Sequence, residues 1–155
     1  MGQGQRIVKN ISGNLLHLAE QGAFDVIIHG CNCQCVMGAG IAKSIKELYP
    51  QAYAADRATE KGSLHKLGNY SKADTGKFII VNAYTQFDWR GDGVKVDYNA
   101  VRSVFKQIRK EFSGKKIGYP KIGAGLANGN WELIEKIIME ELAGEDHTLV
   151  NYTQG

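Results

Sequence analysis

The sequence predicts an α/β fold in three layers, α/β/α, around a mixed, mainly parallel central sheet. Three observations predict it. Short apolar, β-branched runs alternate with segments whose apolar residues recur at helical spacing. Glycine-rich segments follow the strand-like runs. No repeat, low-complexity tract or shift of composition divides the 155 residues, so residues 1–155 read as one domain of ordinary size.

The elements follow in order. Gln5–Lys9 opens as a strand and runs to the turn-prone Ser12-Gly13-Asn14. Phe24–His29 (FDVIIH) is a strand covered on both faces. Ile41, Ala42, Ile45, Leu48 and Tyr49 keep helical spacing, and Pro50 closes that pattern. Gly62–Gly76 reads as a surface loop. Phe78–Ala83 (FIIVNA) is a second buried strand, followed by another surface loop, Gln86–Val94. Val101, Val104, Phe105, Ile108 and Phe112 share one helical face, with Asp97 as its cap. Lys116–Tyr119 is a short strand leading into Pro120. Trp131, Ile134, Ile137, Ile138 and Leu142 form a further helical stripe, and His147–Tyr152 returns to strand character.

The formal net charge of +3 is mild. It suits an anionic small molecule and gives no sign of a nucleic-acid binder. The densest basic run, Lys106, Arg109, Lys110, Lys115 and Lys116 around Glu111, reads as a solvated helix face rather than a phosphate-tracking patch. No charged start precedes an apolar core of signal-peptide length, and no apolar run is long enough to cross a bilayer. A cytoplasmic monomer without membrane contact is expected.

The three cysteines, Cys31, Cys33 and Cys35, fall within five residues. An odd, clustered set is no disulfide framework, and reduced thiols are expected. Zinc takes four ligands with wider spacing, and no second cluster completes a set, so no metal or cofactor is expected. Small side chains lining a tight loop is the better reading. A nucleophilic cysteine would have only His29 as a partner. Trp89 and Trp131 read as packing residues, and His17, His65 and His147 as surface or packing residues.

Two loops carry the chemistry. The first is His29-Gly30-Cys31-Asn32-Cys33-Gln34-Cys35-Val36-Met37-Gly38-Ala39-Gly40-Ile41-Ala42, in which a buried strand runs into small residues and then into a helix beginning near Gly40. Glycines let the backbone approach an anion, and the unpaired N–H groups of a first helical turn donate to phosphate oxygens with the helix dipole behind them. This is neither the dinucleotide fingerprint nor a P-loop, because the third glycine and the Lys-Ser/Thr are missing. The second is Pro120-Lys121-Ile122-Gly123-Ala124-Gly125-Leu126-Ala127-Asn128-Gly129-Asn130-Trp131, with the same plan of strand, small residues and capped helix. Side by side, two such loops would close over a pyrophosphate, since a nest of backbone donors suffices as an anion site.

These stretches, with the preceding turn around Ser12-Gly13-Asn14-Leu15-Leu16, resemble the macro domain family, in the branch of ADP-ribose 1″-phosphate phosphatases. The resemblance runs from about Arg6 to Tyr152. It implies a macro domain fold and a small-molecule ligand, ADP-ribose or ADP-ribose 1″-phosphate, free or as an ADP-ribosyl group on a macromolecule. It implies that Asn14 hydrogen-bonds the adenine amino group and that Tyr152 lies against the adenine, with Gly13 and Leu15 also among the ADP-ribose-binding residues. Asn32 reaches the distal ribose, with Gly30 and Cys31 also among the ADP-ribose-binding residues; Met37, Gly38, Ala39, Gly40, Ile41 and Ala42 fall around the diphosphate and that ribose, and Ile122, Gly123, Ala124, Gly125, Leu126, Ala127 and Asn128 over the phosphates.

The catalytic candidates are His29, Asn32 and Asn130. His29 is placed at a strand end facing the cleft, where it is either an acid–base group or a hydrogen-bonded structural residue. Asn130 stands where aspartate is common in the family. As a helix cap the two are nearly equivalent; as a general base they are not. Hydrolysis at the distal ribose is the leading expectation. A reader that binds ADP-ribose without chemistry is the alternative. Release of ADP-ribose from macromolecules through a lysine adduct is disfavoured, because no lysine lies within Val81–Gln86.

Overall fold

The structure, a computed structural model, describes residues 9–153. The part of the expected first strand that precedes Lys9, and Arg6, where the family resemblance begins, lie outside the described residues. Six strands form one sheet in the order β1-β6-β5-β2-β4-β3: β1 (Lys9–Gly13), β2 (Val26–Asn32), β3 (Tyr70–Asp74), β4 (Ile79–Gln86), β5 (Ile117–Tyr119) and β6 (His147–Tyr152). The pairs β1–β6, β6–β5, β5–β2 and β2–β4 are parallel, and only β3–β4 is antiparallel. The expected mixed, mainly parallel α/β/α architecture is observed.

Alternation along β2 divides the core. Val26 and Ile28 point into a cluster with Val104, Phe105 and Ile108 of α4 (Tyr98–Phe112) and Ile134 and Ile138 of α5 (Trp131–Glu141). Ile27 points the other way. There it joins Leu15, Leu16 and Ala19 of α1 (Leu15–Glu20), Ile45 of α2 (Gly40–Leu48) and Ala52 of α3 (Pro50–Arg57). Both faces of the strand are dry, which is why its sequence is a continuous apolar run rather than an alternating one.

Three elements depart from expectation. Pro50 does end α2, but it also occupies the first turn of α3, where its missing N–H costs nothing and its fixed φ suits the helix. The expected loop Gly62–Gly76 contains a single 3-10 turn, Leu64–Lys66, and the edge strand β3. Polar residues at an edge strand leave little apolar signal. The turn at Asn14 is the cap of the short helix α1, whose Leu16 and His17 amides donate to Asn14 Oδ1. Asp97 caps α4 as expected, accepting from the Ala100 amide.

Candidate functional site

Strands β2 and β5 are adjacent and parallel, with Val26 beside Ile117 and Ile27 beside Gly118. The chain therefore leaves both at the same edge of the sheet, beyond their carboxyl ends, and the two glycine-rich loops emerge side by side. They enclose a cavity of about 640 Å³ lined by Gly30, Cys31, Asn32, Val36, Gly38–Ala42 and, from the second loop, Pro120–Gly123 and Gly125–Ala127, with Gln86 and Trp89 at its rim. A second cavity of about 900 Å³ is lined by Asn14–His17, Glu20, Ser44, Leu48, Tyr49, Val150 and Tyr152. Gly40, Ile41 and Pro120 line both, so the cavities meet at the amino terminus of α2.

That terminus is built to donate. Asn14, Asp97 and Asn130 close the first turns of α1, α4 and α5 with a side-chain oxygen. Helix α2 has Ala39 at its cap position and no side-chain bond there. Its first internal bond runs from the Lys43 amide to Ala39 O. The amides of Gly40, Ile41 and Ala42 thus lack an acceptor among the described residues, and all three residues line the cavity shared by the two loops. Opposite them, the amides of Gly123, Gly125 and Leu126 also find no acceptor among the described residues. Orphan donors on both walls, with a helix dipole behind one of them, are groups able to receive an anion through the backbone.

The second loop holds its shape by close packing. Gly123 has φ +74, and a Cβ on it would lie 2.6 Å from Val96 Cγ2. A Cβ on Gly129 would lie 2.5 Å from Gly123 O, which already accepts from the Gly129 amide at 2.7 Å. In the first loop, Asn32 Nδ2 donates to Val36 O at 2.9 Å and its Oδ1 accepts from the Gln34 amide at 2.9 Å. Asn32 lines the cavity, but its polar atoms are committed to the loop's own fold. Lys66 Nζ, buried, donates to Cys33 O at 3.1 Å and rests 3.4 Å from Cys35 Sγ, pinning the outer side of the same loop.

Several expected site residues are placed elsewhere. His29 does not face the cleft. It shares the parity of Ile27, is 1% exposed, and lies against Asn82 under α3. Burial, partly offset by the Asn82 hydrogen bond, pushes its pKa down to about 4, so the ring is neutral near pH 7. Asn130 lies outside both cavity linings and accepts from the Leu133 amide as the cap of α5. Met37 turns into the core with Ile45. Gly13, Ala124 and Asn128 line neither cavity; Gly13 O accepts from the Thr153 amide, and Asn128 Nδ2 donates to Gly93 O.

Asn14, Leu15 and Tyr152 line the larger cavity, and Gly30, Cys31, Asn32, Gly38–Ala42, Ile122, Gly123, Gly125, Leu126 and Ala127 the smaller. Burial raises the Cys31 thiol's pKa well above its ordinary value, which keeps it protonated and a poor nucleophile. Trp89, expected to pack, is 49% exposed at the cavity rim. Ser44, not singled out by the sequence, lines the larger cavity together with Leu48, 63% exposed, and Tyr49, which the sequence marked only by helical spacing. Among the described residues no group of His, Cys, Asp and Glu is arranged to hold a metal, and no helix is long and apolar enough to cross a membrane.

No protein-family model matches the chain. Comparison with curated proteins finds 37% identity over 142 residues to an uncharacterized 17.5 kDa protein of Enterobacteria phage T4, covering 85% of this chain and 88% of that one. It also finds 27% identity over 130 residues to the DNA ADP-ribosyl glycohydrolase of Mycobacterium tuberculosis, covering 81% of this chain and 36% of that enzyme's length. A shorter match, 43% over 51 residues, is to an ADP-ribose 1″-phosphate phosphatase of Aspergillus fumigatus, covering 33% of this chain and 24% of that one. Among solved structures, the macrodomain of Mycobacterium tuberculosis DarG superposes with a TM-score of 0.74 at 22% identity, covering 97% of this chain and all of that one. Thermosipho africanus DarTG in complex with ADP-ribose superposes with a TM-score of 0.70 at 17% identity, covering 95% of this chain and 43% of that one. By its sheet order and these likenesses, the chain has the macro domain fold.

Proposed function

We propose that this chain binds ADP-ribose or a close derivative such as ADP-ribose 1″-phosphate. The diphosphate lies between the amino terminus of α2 and the Gly123–Leu126 amides. The adenine occupies the cavity at Asn14 and Tyr152, and the distal ribose the cavity at Gly30 and Asn32. The carrying observation is the uncapped first turn of α2, placed where the two cavities meet. A doubly charged linker between two heterocyclic ends has the shape of that arrangement. Calorimetric titration with ADP-ribose tests the reading: micromolar binding that weakens for AMP supports it, and indifference at millimolar ligand ends it.

Hydrolysis at the distal ribose is the second reading, supported by relatives that are named as ADP-ribosyl glycohydrolase and ADP-ribose 1″-phosphate phosphatase. The distal cavity is lined by no carboxylate and no imidazole; its titratable side chains are Cys31 and Lys121. Turnover would therefore fall to a water held by backbone groups, so binding without chemistry is the reading that the lining favours. Exposed Val36, Trp89 and Leu126 around the mouth leave room for a macromolecule attached at that ribose. Phosphate release from ADP-ribose 1″-phosphate, and ADP-ribose release from a modified oligonucleotide or protein, separate reader from enzyme.

A further inference from the structure

Asn14 holds the cap position of α1 and lines the larger cavity. Its side-chain amide has one orientation. Oδ1 accepts from the Leu16 amide at 3.1 Å and from the His17 amide at 3.2 Å. Both lone pairs of that oxygen are taken, and the nitrogen cannot stand in its place. Nδ2 is the other arm of the same planar group, and it finds no acceptor among the described residues. Beyond its cap, Asn14 therefore presents a donor.

The rest of the cavity does not reverse that polarity. Glu20 is the one carboxylate in its lining among the described residues, and its two oxygens already accept from the Tyr49 hydroxyl and Lys77 Nζ. Tyr152, exposed at the cavity, offers a ring face, and stacking on an aromatic ring is open to every base. Discrimination among bases thus falls to Asn14. A purine amino group opposite Nδ2 sets donor against donor, whereas a carbonyl oxygen in that place completes a hydrogen bond. Adenine carries the amino group at that corner of the ring; guanine, like hypoxanthine, carries the oxygen.

We propose that Asn14 sets the base specificity of this cavity and favours an oxopurine over adenine. This rests on the ADP-ribose reading above and deepens it, narrowing the ligand to a nucleoside diphosphate ribose with a carbonyl oxygen at the base edge. An aspartate at the same position would cap α1 equally well while presenting an acceptor, which reverses the preference. The diphosphate and both sugars are common to the two ligands, so the contrast is confined to the base.

The experiment is a titration of ADP-ribose and of inosine diphosphate ribose, whose base is hypoxanthine, against wild type, Asn14→Asp and Asn14→Ser, with a melting temperature for each. Wild type is expected to bind the inosine compound about fivefold more tightly, and Asn14→Asp to bind ADP-ribose about fivefold more tightly. Asn14→Ser keeps the cap but withdraws the amide nitrogen, so its two affinities should agree within about twofold. The three proteins should melt within a few degrees of one another, because each retains a capping oxygen. A wild-type preference for ADP-ribose, or the same ratio in wild type and Asn14→Asp, overturns this proposal alone. A wild-type protein that binds neither ligand overturns the reading beneath it as well. Should Asn14→Asp not fold, Asn14→Ser decides by the same ratio.

Discussion

His29 and Asn82 face each other across the paired strands β2 and β4, with Nε2 2.7 Å from Asn82 Oδ1. Asn82 Nδ2 donates to Ala52 O and Ser71 Oγ, so its Oδ1 is left to accept and the imidazole must donate from Nε2. The other ring nitrogen, Nδ1, has only the Cys31 thiol at 3.7 Å. Burial of the ring, which disfavours a second proton, is the physical reason it stays neutral.

The first prediction concerns pH. The pKa of His29 lies at about 4 in the fold, against 6.5 for an ordinary histidine. Between those values the unfolded chain takes up a proton that the fold refuses. The fold's stability is therefore full above pH 6.5 and falls as pH drops from 6.5 toward 4, by about 3 kcal/mol from this one group. Urea unfolding of wild type and His29→Gln at about pH 7 and about pH 4.5 checks it. The variant should lose less stability on acidification. His147, also depressed by burial, contributes to both proteins and cancels in the comparison. Equal pH dependence in the two would mean that His29 reaches solvent.

The second prediction separates two glycines of the same loop. Gly129→Ala places a methyl against Gly123 O and Val96, and should cost about 2–3 kcal/mol by overpacking while opening the loop and weakening ADP-ribose. Gly125→Ala meets nothing within 4 Å and should leave stability within about 1 kcal/mol. Thermal melts of the two proteins give the contrast; similar losses would show that the loop is not packed as described.

The third prediction concerns Asn130. Its Oδ1 caps α5 and its amide donates to the Tyr98 hydroxyl at 3.0 Å. Asn130→Asp should keep stability within about 0.5 kcal/mol, and Asn130→Ala should lose about 1 kcal/mol. Neither should change any phosphate release from ADP-ribose 1″-phosphate, because the residue lines no part of the cavity. A gain of turnover in Asn130→Asp would place a carboxylate at the reacting atoms and refute that geometry.

What the sequence reveals here follows from how far each signal is local. FDVIIH and FIIVNA stand out because β2 and β4 are dry on both faces. Their ends are displaced because pairing continues past the apolar run, with Gly30 beside Ala83 and Cys31 beside Tyr84. The two loops were legible as glycine-rich turns, and the adjacency of β2 and β5 makes them one site. Parity misplaced His29: a residue near the end of a strand was read as facing the cleft, while its alternation with Ile28 turns it under α3. Trp89 left no pattern at all: it matters through exposure in an irregular loop, which is not a property of its neighbours in the chain.

The fourth prediction tests the anion site itself. Ala39 holds the cap position of α2 in extended geometry, φ −148 and ψ 159, with no side-chain bond. Aspartate there can accept from the free amides of the first turn and should stabilise the fold by about 1 kcal/mol, as a cap and through the helix dipole. The same carboxylate would occupy the donors that the diphosphate requires and would repel its charge. ADP-ribose affinity should therefore fall by about a hundredfold or more in Ala39→Asp, a loss of ~2.7 kcal/mol. Ala39→Ser, which caps without charge, should show a smaller loss. Stability and binding moving in opposite directions is the signature of a helix end kept open for a ligand. If Ala39→Asp gains stability and binds ADP-ribose as wild type does, the diphosphate does not sit at α2. The uncapped turn would then be only an unoptimised helix end.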